Sequence, residues 1–377
     1  MSPDGSLAVF CRADDLWLRT GDAERRLTFD GAPHFAYGIS GEMNLTTVSP
    51  KRRGIVLPAN ALFSPDGSKV FTSRVVERLV ADLPLVQHVP DDGSARPIVH
   101  HMRFALSGDK HLPVETHCMI DLQSGAIQMC PAGPHVTGMT TCLEKEEAWW
   151  SADGTRVFFL DRDRYWQRLT LWEFSALTGE AREVFSETAA TFFDNNVSVA
   201  GLPNVLVLDG SREFIWHSQY SGWGHLYLHD LATGARKRAI TAGDWLVRDL
   251  LHVDTVARNV EFLASGIDAA ANPYHRVLCR ISLDDGDLTV LTPGDGDHAL
   301  AMRLKRVPRD HFRPAMDVGW YRAPSGAVFR SYPFRPDQGT GFRPASRRWI
   351  AGGDFGGGGR DHARLAFCHA VPYRGGG

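Results

Sequence analysis

The chain has 377 residues, more than one compact core ordinarily holds, so it reads as two domains or one modular array. Its formal net charge of −3 supplies no basic field for phosphate backbones or anionic lipid, which excludes nucleic acid and membrane surfaces as expected partners. Hydrophobic and charged contents of 43% and 23% are those of a globular protein, and 37 Gly, 21 Pro and 10 Trp favour an all-β array rich in turns and aromatic strand positions.

Met1-Ser2-Pro3-Asp4-Gly5 carries neither the basic nor the apolar region of a signal peptide, and no run approaches the roughly 18 apolar residues of a membrane helix. Cys11, Cys118, Cys130, Cys142, Cys279 and Cys368 form no C-x-x-C pair and sit in apolar or strand-like surroundings. Free buried thiols in a reducing, cytoplasmic compartment are expected.

A turn followed by a strand recurs along the chain. Ser2-Pro3-Asp4-Gly5 leads into Ser6 to Phe10, Ser64-Pro65-Asp66-Gly67 into Ser68 to Thr72, and Ser151-Ala152-Asp153-Gly154 into Thr155 to Leu160. Pro presets φ at the first corner, Asp bonds back to the backbone, and Gly takes the positive-φ position. Alternating apolar residues then pair as a strand. A second strand and a polar hairpin follow, as in Asp15 to Thr20 before Gly21, and Thr170 to Phe174 before Leu177-Thr178-Gly179-Glu180. Weaker copies run from Asp209 to Trp216 with His225 to Asp230, and from Ala257 to Leu263 with His275 to Leu283. The order of turn, strand and strand is kept at a spacing that suits four-stranded propeller blades, some with long insertions. No long amphipathic helical stretch interrupts them, which argues against a doubly wound sheet; an irregular β-sandwich is the less favoured alternative. From Gly339 the chain turns to Gly, Arg, His and Ala without strand alternation and is expected to form a disordered tail. The domain reading is therefore a propeller region over 1–338 and a tail over 339–377.

Sixteen histidines raise the question of a metal. His100, His101, His111 and His117 lie near Asp109 and Glu115, and the even spacing of His111, Glu115 and His117 puts them on one face of a strand. The favoured reading is an exposed polar extension, with no metal and no other cofactor. His217, His225 and His229 flank a hairpin and are expected to bond neighbouring carbonyls. The tryptophans are read as core between blades, with Trp223 after Gly222 as an exposed exception. The glycines after Gly352 lack the strand and helix of a phosphate loop.

The Ser-Pro-Asp-Gly copies, Arg96-Pro97 through Arg103 to Asp109, Trp149 to Gly154, and Phe214 through Ser221-Gly222-Trp223-Gly224 to Leu228 together resemble the N-terminal region of the dipeptidyl peptidase IV branch of the prolyl oligopeptidase family, over roughly residues 1 to 300. The resemblance implies an eight-bladed β-propeller in front of an α/β-hydrolase domain with a Ser-Asp-His triad, and a role in proteolysis. Here the ring is expected to be incomplete. The nucleophile elbow Gly-x-Ser-x-Gly is absent; Gly38-Ile39-Ser40-Gly41 ends on Glu42 where the final Gly belongs. The resemblance also implies a pair of adjacent glutamates that hold a substrate's amino terminus. The matching insertion, Tyr37 to Leu45, offers a lone Glu42, which is the single substrate-binding candidate. Glu146-Glu147 lies elsewhere and is read as a solvated charge cluster.

The expected function is that of a non-catalytic propeller that gates and orients peptide substrates for a hydrolase domain, inactive alone and truncated before that domain. The tail is expected to be a frameshifted product, which flanking DNA would reveal as a hydrolase frame in a neighbouring phase. The alternative is a stand-alone propeller that binds a protein or peptide. Peptide substrate or a hydrolase domain are the expected partners, and self-association into a homo-oligomer is left open.

Overall fold

The computed structural model describes residues 1–44, 58–90, 93–138, 140–193, 195, 202–294, 296–300, 319–322 and 328–331. The expected tail over 339–377 and Cys368 lie outside the described residues. Among the described residues the chain is built of strands, with a single short 3₁₀ turn at Asp209–Ser211.

The three Ser-x-Asp-Gly turns fold alike. In each, the serine hydroxyl donates to the aspartate carboxylate at 2.6 Å, and that carboxylate accepts the backbone N–H two residues on. The serine oxygen in turn accepts the N–H of Leu7, Lys69 or Arg156 at 2.8, 2.9 and 3.0 Å, where the strand begins. Gly5, Gly67 and Gly154 take φ of +76°, +73° and +67°, which a side chain rarely adopts. The weaker copies keep their strands but turn differently: Arg212 and Arg258 hold φ of +54° and +51° where the others have glycine.

Sheets follow one another in chain order. β1 (Leu7–Arg12), β2 (Asp15–Thr20) and β3 (Ala23–Arg26) form the first. In the second, β4 (Phe35–Tyr37) and β5 (Ala61–Phe63) pair successive stretches of the same edge of β6 (Lys69–Val76), so one strand position is interrupted by the segment 38–60. A hairpin of β7 (Asp82–Gln87) and β8 (Ile98–Arg103) then leaves the sheet, which resumes with β9 (Val114–Asp121) along the other edge of β6. β10 (Ile127–Met129) and β11 (His135–Val136) share the far edge of β9. The third sheet runs β12 (Ala148–Trp150), β13 (Arg156–Arg162), β14 (Arg168–Ser175), β15 (Ala181–Thr188). The fourth runs β16 (Val205–Leu208), β17 (Glu213–Ser218), β18 (His225–Asp230), β19 (Arg236–Ala239), and the fifth β20 (Leu246–Asp254), β21 (Asn259–Ser265), β22 (Arg276–Ser282), β23 (Leu288–Val290). Each of these three is antiparallel and strictly sequential. In a sixth sheet β24 (His298–Leu300) pairs in parallel with β26 (Val328–Ser331), which also pairs β25 (Gly319–Arg322).

Apolar clusters lie between successive sheets. Leu16 and Leu18 meet Val70, Cys118 and Ile120; Phe71 and Met119 meet Val157 and Phe159; Phe158 and Leu160 meet Phe214 and Trp216; Ile215 and Leu228 meet Val260 and Phe262. The first strands of the second, third and fourth sheets also line one cavity of about 650 Å³. Sequential meander sheets packed face to face around a shared central space are a β-propeller. The packing explains a departure from the expected alternation: Val157, Phe158, Phe159 and Leu160 are all buried, because both faces of β13 are covered. Among the described residues no helix is long and apolar enough to cross a membrane.

Trp216 is fully buried between the third and fourth sheets, and its indole donates to Glu187 at 2.6 Å. Trp216→Ala should lower unfolding free energy by about 3–5 kcal/mol in urea titration, as a large core deletion does. The Asp66 carboxyl is held down at about 2, chiefly by the Ser64 hydroxyl, so its contribution is complete above about pH 4 and is lost as the pH falls through 2. Asp66→Asn, which keeps an acceptor without a titrating proton, should show a shallower loss of stability between pH 4 and 2.

Candidate functional site

The segment that interrupts the second sheet begins at Gly38, with φ of +64°, where a Cβ would lie 2.9 Å from Leu16 Cδ1. Gly38 and Asn60 stay tied to the sheet through Gly38 N–H to Ser73 O at 2.9 Å and Asn60 N–H to Gly38 O at 2.7 Å. Between them the chain is clasped by two carboxylates. Glu77 accepts the Glu42 N–H at 2.8 Å, and a Cβ at Gly41 would stand 2.7 Å from Glu77 Oε1. Glu144 accepts from the Ser40 hydroxyl and, at 2.9 Å, from Asn44 Nδ2.

Glu42, the sequence candidate, is thereby held at the foot of the β7–β8 hairpin. Its Oε2 accepts the Arg103 N–H at 2.7 Å, and Oε1 lies 3.8 Å from His34 Nδ1. Sequence reading found the lone Glu42 but missed Glu77 and Glu144, which lie 35 and about 100 residues away along the chain and carry no local signal. Ser40 is buried and donates to Glu144, away from any strand-turn-helix, as its failed Gly-x-Ser-x-Gly context implied.

Beside this segment, with Met43 in its wall, opens a cavity of about 280 Å³. Two readings are corrected there. Glu147 is not part of a solvated cluster: it is 5% exposed and paired with Arg162 through both oxygens, at 2.5 and 2.6 Å, while Arg162 also reaches Asn195 Oδ1 at 3.0 Å. Glu146 alone of that dipeptide is exposed. Likewise, Glu115 and His117 do share a face of β9, as their spacing implied, but that face is interior. His111 is exposed before the strand, and His100 and His101 lie on β8 of the hairpin.

Cys142 lies against Glu115 and His117, its N–H donating to Glu115 Oε1 at 3.2 Å and its sulfur 3.7 Å from His117 Nε2. Burial raises the Glu115 carboxyl to about 7, against the pull of hydrogen bonds and the nearby His135, and pushes the Cys142 thiol well up. His117 is held well below its ordinary value by burial and then by His135. His135 from β11 faces Asp161, 3.0 Å from its Nδ1. Of the three hairpin histidines, two meet the expectation: His225 Nε2 and His229 Nδ1 lie 2.9 Å from the carbonyls of Gly243 and Gly234. Trp150, Trp216 and Trp245 are core, and Trp223 is exposed. Cys11, Cys118, Cys130, Cys142 and Cys279 form no disulfide.

A family model described as the dipeptidyl peptidase IV N-terminal region matches residues 57–306. Dipeptidyl peptidase 4 of Trichophyton rubrum is 24% identical over 298 residues, covering 78% of this chain and 36% of the relative. A probable dipeptidyl peptidase 4 of Aspergillus flavus is 24% identical over 269 residues, 70% of this chain and 33% of the relative. The crystal structure of Porphyromonas gingivalis dipeptidyl peptidase 4 superposes with a TM-score of 0.58 at 17% identity, covering 79% of this chain and 39% of its own. A putative dipeptidyl aminopeptidase IV from Bacteroides ovatus gives 0.51 at 17% identity, covering 74% and 38%. The chain thus spans about a third of the length of these curated relatives.

The Glu147–Arg162 pair tests how the cavity wall is held. Arg162→Met leaves a buried carboxylate unpaired and should cost about 3–5 kcal/mol in chemical denaturation. Adding Glu147→Leu to it should recover most of that loss.

Proposed function

The chain belongs to the dipeptidyl peptidase IV N-terminal region family, and from that premise we propose that it is the non-catalytic propeller of a dipeptidyl peptidase IV-like serine peptidase, which admits and orients peptide substrates for a hydrolase centre. The observation that carries this reading is the clasped segment 38–44, which holds Glu42 rigidly next to a wall of the 280 Å³ cavity. Glu77 and Glu144 are engaged with the segment itself, the first through the Glu42 N–H and the second through Ser40 and Asn44. Glu42 is then the carboxylate offered to the ammonium group of an incoming peptide. The Arg103 N–H and the nearby His34 orient that carboxylate. Cleavage is assigned to a nucleophile outside this chain, in keeping with the missing Gly-x-Ser-x-Gly string. Five cysteines without disulfides support a reducing, cytoplasmic setting.

The test is calorimetric titration of the purified chain with a short proline-containing peptide, with its amino terminus free or acetylated. The free amine should bind at least about tenfold more tightly, a difference of about 1.4 kcal/mol, and Glu42→Gln should remove that preference. Aminoacyl-prolyl ester should not be turned over above background. Equal affinity for the two peptides, or turnover blocked by a serine-directed inhibitor, would overturn the proposal.

A further inference from the structure

Three potential metal donors converge in the lining of the smaller cavity. Glu115, His117 and Cys142 each offer one ligand atom, all within 4.8 Å of one another, and all three residues are buried. The buried carboxylates of Glu147 and Glu213 are each paired with a cation, Arg162 and Lys237. Glu115 takes the Cys142 N–H and the pull of the Ser73 hydroxyl, but among the described residues no arginine or lysine pairs with it, although Glu115 and His117 are only 3% and 1% exposed. A buried carboxylate without a charged partner costs free energy, so the cluster points to a cation that completes it.

The chemistry of the donors and their spacing identify the ligand. In a tetrahedral site with a metal–sulfur bond of about 2.3 Å and a metal–nitrogen bond of about 2.0 Å, the sulfur and nitrogen stand roughly 3.5 Å apart. Cys142 Sγ and His117 Nε2 are separated by 3.7 Å. One thiolate, one imidazole and one carboxylate form a zinc-type set, not the oxygen cage that calcium or magnesium requires. The two anionic donors balance a divalent charge, and the nearby Glu147 is already neutralised by Arg162.

A second buried imidazole lies next to the group. The His135 ring stacks on His117 with centroids 5.2 Å apart, and its buried Nε2 has no hydrogen-bond partner. Asp161, 3.0 Å from His135 Nδ1, fixes the ring as a carboxylate does behind a metal-bound histidine. We infer that Glu115, His117 and Cys142 bind one divalent transition-metal ion of the zinc class, with His135 reaching the ion through one water. The ion ties β9 and β11 of the second sheet to the chain that leads into β12 of the third, on the wall of the same cavity that Met43 lines.

The experiment uses the full chain, stripped with a chelator and titrated separately with Zn²⁺ and Co²⁺. One equivalent should bind, with a measurable rise in the unfolding temperature, because a ligand that binds only the folded state stabilises it. The Co²⁺ form should show the intense visible bands of four-coordination and a thiolate charge-transfer band. Cys142→Ser should lose the charge-transfer band and the stoichiometric equivalent. Asp161→Asn, which leaves every ligand in place, should weaken binding about 10–100-fold. If the wild-type chain takes up no metal beyond a buffer control, or if Cys142→Ser binds and absorbs as the wild type does, the cluster is an ordinary buried hydrogen-bonded group and the inference fails. The wild-type titration decides the matter even if a variant does not fold. Peptide binding is read separately, so either result leaves the gating proposal to its own test.

Discussion

Burial of both faces of each middle strand is the constraint on which the rest of the molecule depends. A sheet between two others has no solvent side, so neighbouring residues on one strand enter different cores: Phe158 packs towards the fourth sheet and Phe159 towards the second. Phe214 and Ile215 divide in the same way between the third and fifth. Polar groups admitted between such sheets must be matched there. Asn204 is fully buried and bridges the fourth sheet to the fifth, accepting the Leu250 N–H at 2.7 Å and donating to the Arg248 carbonyl at 3.1 Å. Arg258 does so at the surface, lying 3.0 Å from Glu213 and 2.9 Å from Asp284.

The candidate site lies where this regular scheme is broken. The second sheet has its first strand split into β4 and β5 and its last into β10 and β11, and it ejects a hairpin between β6 and β9. The interruptions bring together the segment 38–44, the foot of the hairpin and the chain before β12 around one cavity. Glu42, Glu115, His117 and Cys142 all lie in or beside the interrupted sheet, while the fourth-sheet histidines His225 and His229 bond to the carbonyls of Gly243 and Gly234.

Individual residues show how much of this was legible in advance. The Ser-x-Asp-Gly turns were readable because each closes on itself within five residues, from Ser64 Oγ to the Lys69 N–H for example. Period-two geometry correctly put Glu115 and His117 on one face, but it could not say that the face is interior, since their polarity argued for solvent. The Glu146-Glu147 dipeptide looked solvated for the same reason, and the Arg162 that buries Glu147 is 15 residues further on.

The sequence by itself determined the all-β class, the repeating turn and strand unit and the lack of a Gly-x-Ser-x-Gly string, since each rests on residue type or on bonds between near neighbours. Only the tertiary structure decided which carboxylates are buried, what clasps Glu42, and that Cys142 joins Glu115 and His117. Those contacts span 15 to 104 residues. The register and packing that close such distances belong to the sheets as a whole, so no local pattern around any one of these residues encodes them.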